Sequence, residues 1–209
     1  EYSDNISLVQ TNEQDDTGLS FQAGASLLHS TSALDADVRA GIEYIDYTND
    51  VFTDETLGSL RADLTWRPIP GVLHWQLEDY FTQTVRSSIV PETPDNRIDA
   101  NAFSTGPDIF VRIDPVTTIE TQLRRADYYF EDTPTDSYRN IASIGWVRAL
   151  RPELDVSANV AYHDANFTET NNIDFTRLDY FVRADSRHGR SELLVDVGVS
   201  QIDRDNSED

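Results

Sequence analysis

The sequence predicts an all-β protein, an antiparallel up-and-down transmembrane β-barrel of about eleven strands, and three observations carry that expectation. Apolar and polar residues alternate with period two over segments of roughly 9 to 11 residues. That is the length a tilted strand needs to cross a bilayer, and it exceeds the ~5 to 6 residues usual in soluble sandwiches. Tight turns and longer connections alternate along the chain, which is how a membrane barrel joins its strands on its two sides. Aromatic residues gather near both ends of the segments, where interfacial girdles form.

Each element is justified by its own alternation. The polar start, 2–9, counts as the first strand. Leu19, Phe21, Ala23, Ala25 and Leu27 then alternate with Ser20, Gln22, Gly24 and Ser26. A short turn at Ser30-Thr31-Ser32 leads to Leu34, Ala36, Val38, Ala40, Ile42 and Tyr44, set against Asp35, Asp37, Arg39, Gly41 and Glu43. After an acidic connection, 48–55, Leu60, Ala62, Leu64 and Trp66 alternate with Arg61, Asp63 and Thr65, and Pro68-Ile69-Pro70-Gly71 forces a turn. Leu73, Trp75 and Leu77 follow, opposed by His74, Gln76 and Glu78, and a long polar loop is expected over 86–101. Ile109, Val111 and Ile113 oppose Asp108, Phe110 and Arg112, and Asp114-Pro115 turns the chain towards Ile119 and Leu123. Ala142, Ile144 and Trp146 precede the turn at Arg151-Pro152-Glu153. Leu154, Val156, Ala158, Val160 and Tyr162 then alternate with Asp155, Ser157 and Asn159. The last pair is Leu178 to Ala184 and Leu193 to Val199, joined at Arg187-His188-Gly189. One domain, 1–209, accounts for the repeat, and no segment sustains a 3.6-residue period.

Composition bounds the function classes. A net charge of -22 and a pI near 4.3 exclude nucleic acid as a partner, because phosphate binding rests on Lys and Arg releasing counterions. All 16 basic residues are Arg, whose planar fork suits paired hydrogen bonds to carboxylates. The absence of Cys removes disulfides, thiolate metal sites and Cys nucleophiles, and no apolar run is long enough for a transmembrane helix. A mean hydropathy of -0.50 fits either a soluble sheet or a barrel with one lipid face and one watery face.

The polar face presents candidate selectivity residues to a lumen: Asp35, Asp37, Arg39, Glu43, Arg61, Asp63, Glu78, Asp108, Arg112, Glu120, Arg124, Asp155, Arg177, Asp179, Arg183 and Asp196. Interleaved carboxylates and guanidinium groups set ion or sugar selectivity in a pore, or simply form cross-strand ladders that stiffen its wall. Trp66, Trp75 and Trp146 form the expected girdle at the short-turn end. Tyr44, Tyr128 and Tyr162, with Tyr47, Phe52, Phe81, Tyr129, Phe130 and Phe167, form the one at the long-loop end. Acidic residues crowd the long connections (Glu13, Asp50, Asp54, Glu92, Asp132, Asp136, Glu169), whereas Arg67, Arg148, Arg151, Arg187 and Arg190 lie near short turns. None of His29, His74, His163 and His188 sits in a catalytic motif, and His163 and Asp164 must face opposite ways on a strand. No catalytic residue, metal site or cofactor is assigned, and the chain is expected not to be an enzyme.

The start Glu1-Tyr2-Ser3-Asp4-Asn5-Ile6, with Arg125-Ala126-Asp127-Tyr128 and Leu150-Arg151-Pro152-Glu153-Leu154, resembles the β-barrel porins encoded beside exopolysaccharide export genes. That resemblance implies a bacterial outer-membrane location and a part in polysaccharide secretion or surface assembly. Lipid, lipopolysaccharide, exopolysaccharide and secretion-machinery proteins are the partners it implies. Since single-chain bacterial barrels have even strand numbers, 1–209 is expected to be incomplete at its C-terminal end, with any signal peptide already removed. Three functions stay open: a porin or export channel, a non-conducting membrane platform with acidic binding loops, and a soluble β-rich adhesin.

Overall fold

Strict alternation between an apolar and an ionic face produces a single antiparallel meander. A computed structural model of the chain describes residues 2–3, 15–91, 93–168, 173–189 and 191–204. Its strands are β1 (Tyr2–Ser3), β2 (Asp16–Ser30), β3 (Leu34–Tyr47), β4 (Glu55–Ile69), β5 (Leu73–Val85), β6 (Arg97–Asp114), β7 (Thr117–Phe130), β8 (Ser137–Arg151), β9 (Leu154–Phe167), β10 (Phe175–His188) and β11 (Ser191–Arg204). Each pairs antiparallel with its sequence neighbour, in the order β1 to β11. This is the all-β, up-and-down class the alternation predicts. Of the expected first strand, Tyr2 and Ser3 pair with Thr17 and Asp16, and the rest lies outside the described residues, as do Glu13, Glu92, Glu169 and Arg190.

The short turns fall where Pro and Gly place them. Gly71 and Gly189 adopt φ of 73° and 60°, backbone that a side chain disfavours. The long polar loop expected over 86–101 is shorter than that: it contains a single 3-10 turn at Pro94–Asn96, and β6 already begins at Arg97. Gly106 keeps β6 intact beside Pro107, because a Cβ there would overlap the Leu123 carbonyl oxygen on β7.

The register is staggered. One row of directly opposed residues runs His29, Ala36, Leu64, Leu77, Thr105, Arg125, Asn140, Asp164, Thr176, Asp203. It begins one residue from the short-turn end of β2 at Ser30 and finishes twelve residues from the short-turn end of β11 at Ser191. The turns therefore slide by about eleven residues over nine strand steps, roughly 1.2 residues each. At ~3.3 Å per residue and ~4.8 Å between strands, this is a tilt of about 40° once the turns lie level. Barrel walls have that inclination.

No second layer of described residues covers the apolar face. Its side chains stay open: Ile144 is 52% exposed, Val182 52% and Val197 71%. Apart from the small Ala36 and Ala62, the buried strand positions are mostly on the ionic face, Asp108, Ser157, Ala126, Ala161 and Ala165 among them. The sheet is thus inside-out relative to a soluble domain, whose apolar side chains are the ones withdrawn from water.

Candidate functional site

The ionic face is the site, and parity alone assembles it. Every lumen candidate named above lies on this one face, because residues directly opposed across a ladder share a side. Some pairs form along a single strand: Arg39 donates to Asp37 at 2.8 Å, Arg61 to Asp63 at 2.9 Å and Arg177 to Asp179 at 3.0 Å. Others cross strands: Arg124 donates to Asp108 at 2.7 Å, Arg183 grips both Asp196 oxygens at 2.8 Å, and Arg67 binds Asp35. Tyr80 adds its hydroxyl to Asp63, and Ser200 adds its own to Asp179. Half-exposed pairs contribute about 0–1 kcal/mol each, so these ladders order the wall more than they stabilise it.

Five candidates, Glu43, Glu78, Arg112, Glu120 and Asp155, are not held by any hydrogen bond or ion pair with the described residues. Four of the five are carboxylates, so the charge left free on the wall is mostly negative. Near mid-strand the face opens into a cavity of about 420 Å³ bordered by Asp108, Phe110, Glu120, Asn159, Asp179 and Phe181. His163 lies 3.2 Å from Asp179, whereas Asp164 is on the other face. His74 packs its ring 5.0 Å from that of Phe110.

On the apolar face, Trp66 opposes Trp75, and Trp146, Tyr44 and Tyr162 are exposed alongside the aliphatic residues. Tyr128 departs from the girdle expected of it. It pairs with Ser137 and Ala102 on the ionic face, where the Arg139 guanidinium lies 4.9 Å from its ring centre, and Tyr129 takes the outward position instead. Tyr47, Phe130 and Phe167 also face inward by parity.

Ionic residues that alternation alone did not single out also stand on the apolar face, Asp79 and Arg125 among them. Asp79 accepts a 2.7 Å hydrogen bond from Asn101. Arg125 is bound to Asp127 at 2.9 Å and stacks 3.8 Å from the Tyr138 ring centre.

The long connections share one closing device. The last backbone N–H of the incoming strand donates to an Asp side chain just ahead of the next: Tyr47 to Asp54 (3.1 Å), Phe130 to Asp136 (2.7 Å) and Phe167 to Asp174 (2.8 Å). Asn96 does the same for Ser87 at 3.0 Å and donates back to the carbonyls of Ser87, Val90 and Pro91. Much of the acidic character of this end therefore closes hairpins. Asp16, at the long-connection end of β2, is fully buried and accepts from the N–H groups of Thr17, Asn49 and Val51. Burial acts to raise its pKa, but the three donors together outweigh burial and hold the carboxyl below the ordinary aspartate range.

The sequence matches no protein-family model and no curated protein. Among solved structures the chain is similar to the crystal structure of the β domain of the Bordetella autotransporter BrkA. The match has 15% identity and a TM-score of 0.45, and covers 93% of this chain and 88% of that one.

Proposed function

We propose that the chain is the wall of a bacterial outer-membrane β-barrel that works as a porin or export channel. The ionic face lines the lumen and the apolar face meets lipid. The supporting observation is the inverted polarity: an uncovered apolar face over ten tilted strands, backed by a face of ordered ion pairs. In water such a face is an aggregation surface, whereas in a bilayer it is the solvent-matched one. The free carboxylates Glu43, Glu78, Glu120 and Asp155 make the lumen favour cations and uncharged hydroxylated solutes over anions, with exopolysaccharide the export cargo considered. The chain acts as a conduit and not as an enzyme.

Planar-bilayer recording of the full-length protein tests this. Stepwise, cation-selective conductance is expected, and Glu78→Gln together with Glu43→Gln should lower the cation preference. Faithful insertion with no conductance would remove the channel reading.

A membrane platform is the second reading, and one observation favours it. The 86–96 connection is knit together by Asn96 and holds out Ile89, which is 93% exposed. Removing 87–95 should then abolish attachment of surface polymer or a secretion protein while permeability persists.

A further inference from the structure

We infer that the inward residues Phe110, Glu120, Gly145, Asn159 and Phe181 form a saccharide-binding ramp on the lumen wall. This rests on the channel reading and assigns that channel a neutral, polyhydroxylated ligand.

Register is the first support. Phe110 opposes Glu120, Glu120 opposes Gly145, Gly145 opposes Asn159 and Asn159 opposes Phe181, so the five form one row across β6 to β10. All five border the 420 Å³ cavity, a size within the range of small-molecule sites. Four strand steps span about 19 Å, and at a tilt near 40° the row climbs roughly 12 Å along the pore axis. Phe110 stands four residues from the strand end at Asp114, and Phe181 seven from His188, so by strand position the second ring lies roughly 8 Å further from the short turns, a climb in the same direction. A chain passing through meets the two rings at different depths.

Chemistry is the second support. A pyranose ring offers apolar C–H faces and a rim of hydroxyls, and the row offers an aromatic ring at each end with acceptors between them. None of the described residues donates to the Glu120 carboxylate, so it is free to accept from hydroxyl groups. Asn159 uses its amide N–H on Ser157 at 2.7 Å, and its amide oxygen projects over Gly145, where a Cβ would collide with it. Gly145 therefore keeps the floor low and the acceptor exposed.

An organic cation fits less well. The Arg183 guanidinium, held by Asp196, already lies 5.5 Å from the Phe181 ring centre and occupies the place a second cation would take over that ring. An uncharged ring carries no such penalty.

The experiment records the full-length protein in planar bilayers with maltohexaose, and separately with tetramethylammonium chloride, added to one chamber. Reversible current blocks by the hexasaccharide are expected. Phe110→Ala and Phe181→Ala should each raise the concentration for half-block about tenfold, read against each variant's own open current. Outward-facing Val182→Ala should leave the block unchanged. An open channel that maltohexaose does not block, or blocks equally in both Phe variants, overturns the ramp and leaves the channel standing. Block by tetramethylammonium alone overturns it in favour of a cation site. Absence of any current overturns the channel and the ramp together.

Discussion

Placing an arginine at Val160 tests whether hydrocarbon bathes the apolar face. The β9 strand has 14 residues, and at about 40° each residue climbs roughly 2.5 Å, so the strand spans about 35 Å against an apolar belt of ~25 Å. Val160 is six residues past Leu154, about 15 Å up and close to the middle of that belt, whereas Val156 is two residues past it, only about 5 Å up. Arginine near the midplane costs about 2–4 kcal/mol and near an interface about 0–1. Val160→Arg should therefore destabilise by several-fold more than Val156→Arg. Gln122→Arg, on the exposed inward face, should stay within about 1 kcal/mol of the parent. The assay is reversible urea unfolding in lipid vesicles, followed by emission of Trp66, Trp75 and Trp146. Equal effects at Val160 and Val156, or a cost at Gln122 matching that at Val160, would refute the depth argument. So would a Val160→Arg protein that stays monodisperse without detergent.

Asp136→Ala removes the acceptor of the Phe130 N–H and should lower amide protection there by about tenfold, as expected for one charge-assisted hydrogen bond; unchanged exchange would show that the clasp is incidental. Asp16 carries a pH signature. Its folded carboxyl titrates below the unfolded value, so its contribution is present above the unfolded pKa and is lost as pH falls through the folded one. The protection factors of the Asn49 and Val51 amides, taken relative to intrinsic exchange at each pH, should therefore fall on acidification, and Asp16→Asn should flatten that profile. Gly106→Ala should reduce refolding yield sharply, because its Cβ would overlap the Leu123 carbonyl oxygen; wild-type yield would mean that β6 and β7 can separate there without penalty.

On the membrane reading proposed above, the parts of this fold that the sequence reveals are those that hydrocarbon disciplines. Within the belt one face must be apolar and the other need not be, so Leu154 to Tyr162 and Leu193 to Val199 announce both strand and face. Above the belt that requirement lapses. The run Arg97-Ile98-Asp99-Ala100-Asn101 reads as loop although it begins the 18-residue strand β6. Asp127, Asn140 and Asp164 likewise share the apolar face near the long-connection ends of their strands.

Tyr128 faces the ionic side for a related reason. Tyr128-Tyr129-Phe130 has no polar partner to betray its parity, and only the pairing of Tyr129 with Asn101 decides it. Site residues divide in the same way. Pairs two apart on one strand, such as Arg61 with Asp63, are visible in the sequence, because side chains at that spacing must share a face. Arg124 with Asp108, Arg183 with Asp196, and the row from Phe110 to Phe181 exist only once register joins neighbouring strands. Composition says that the wall is ionic. The stagger of the strands determines which carboxylates are neutralised and leaves Glu120 unpaired on the ionic face.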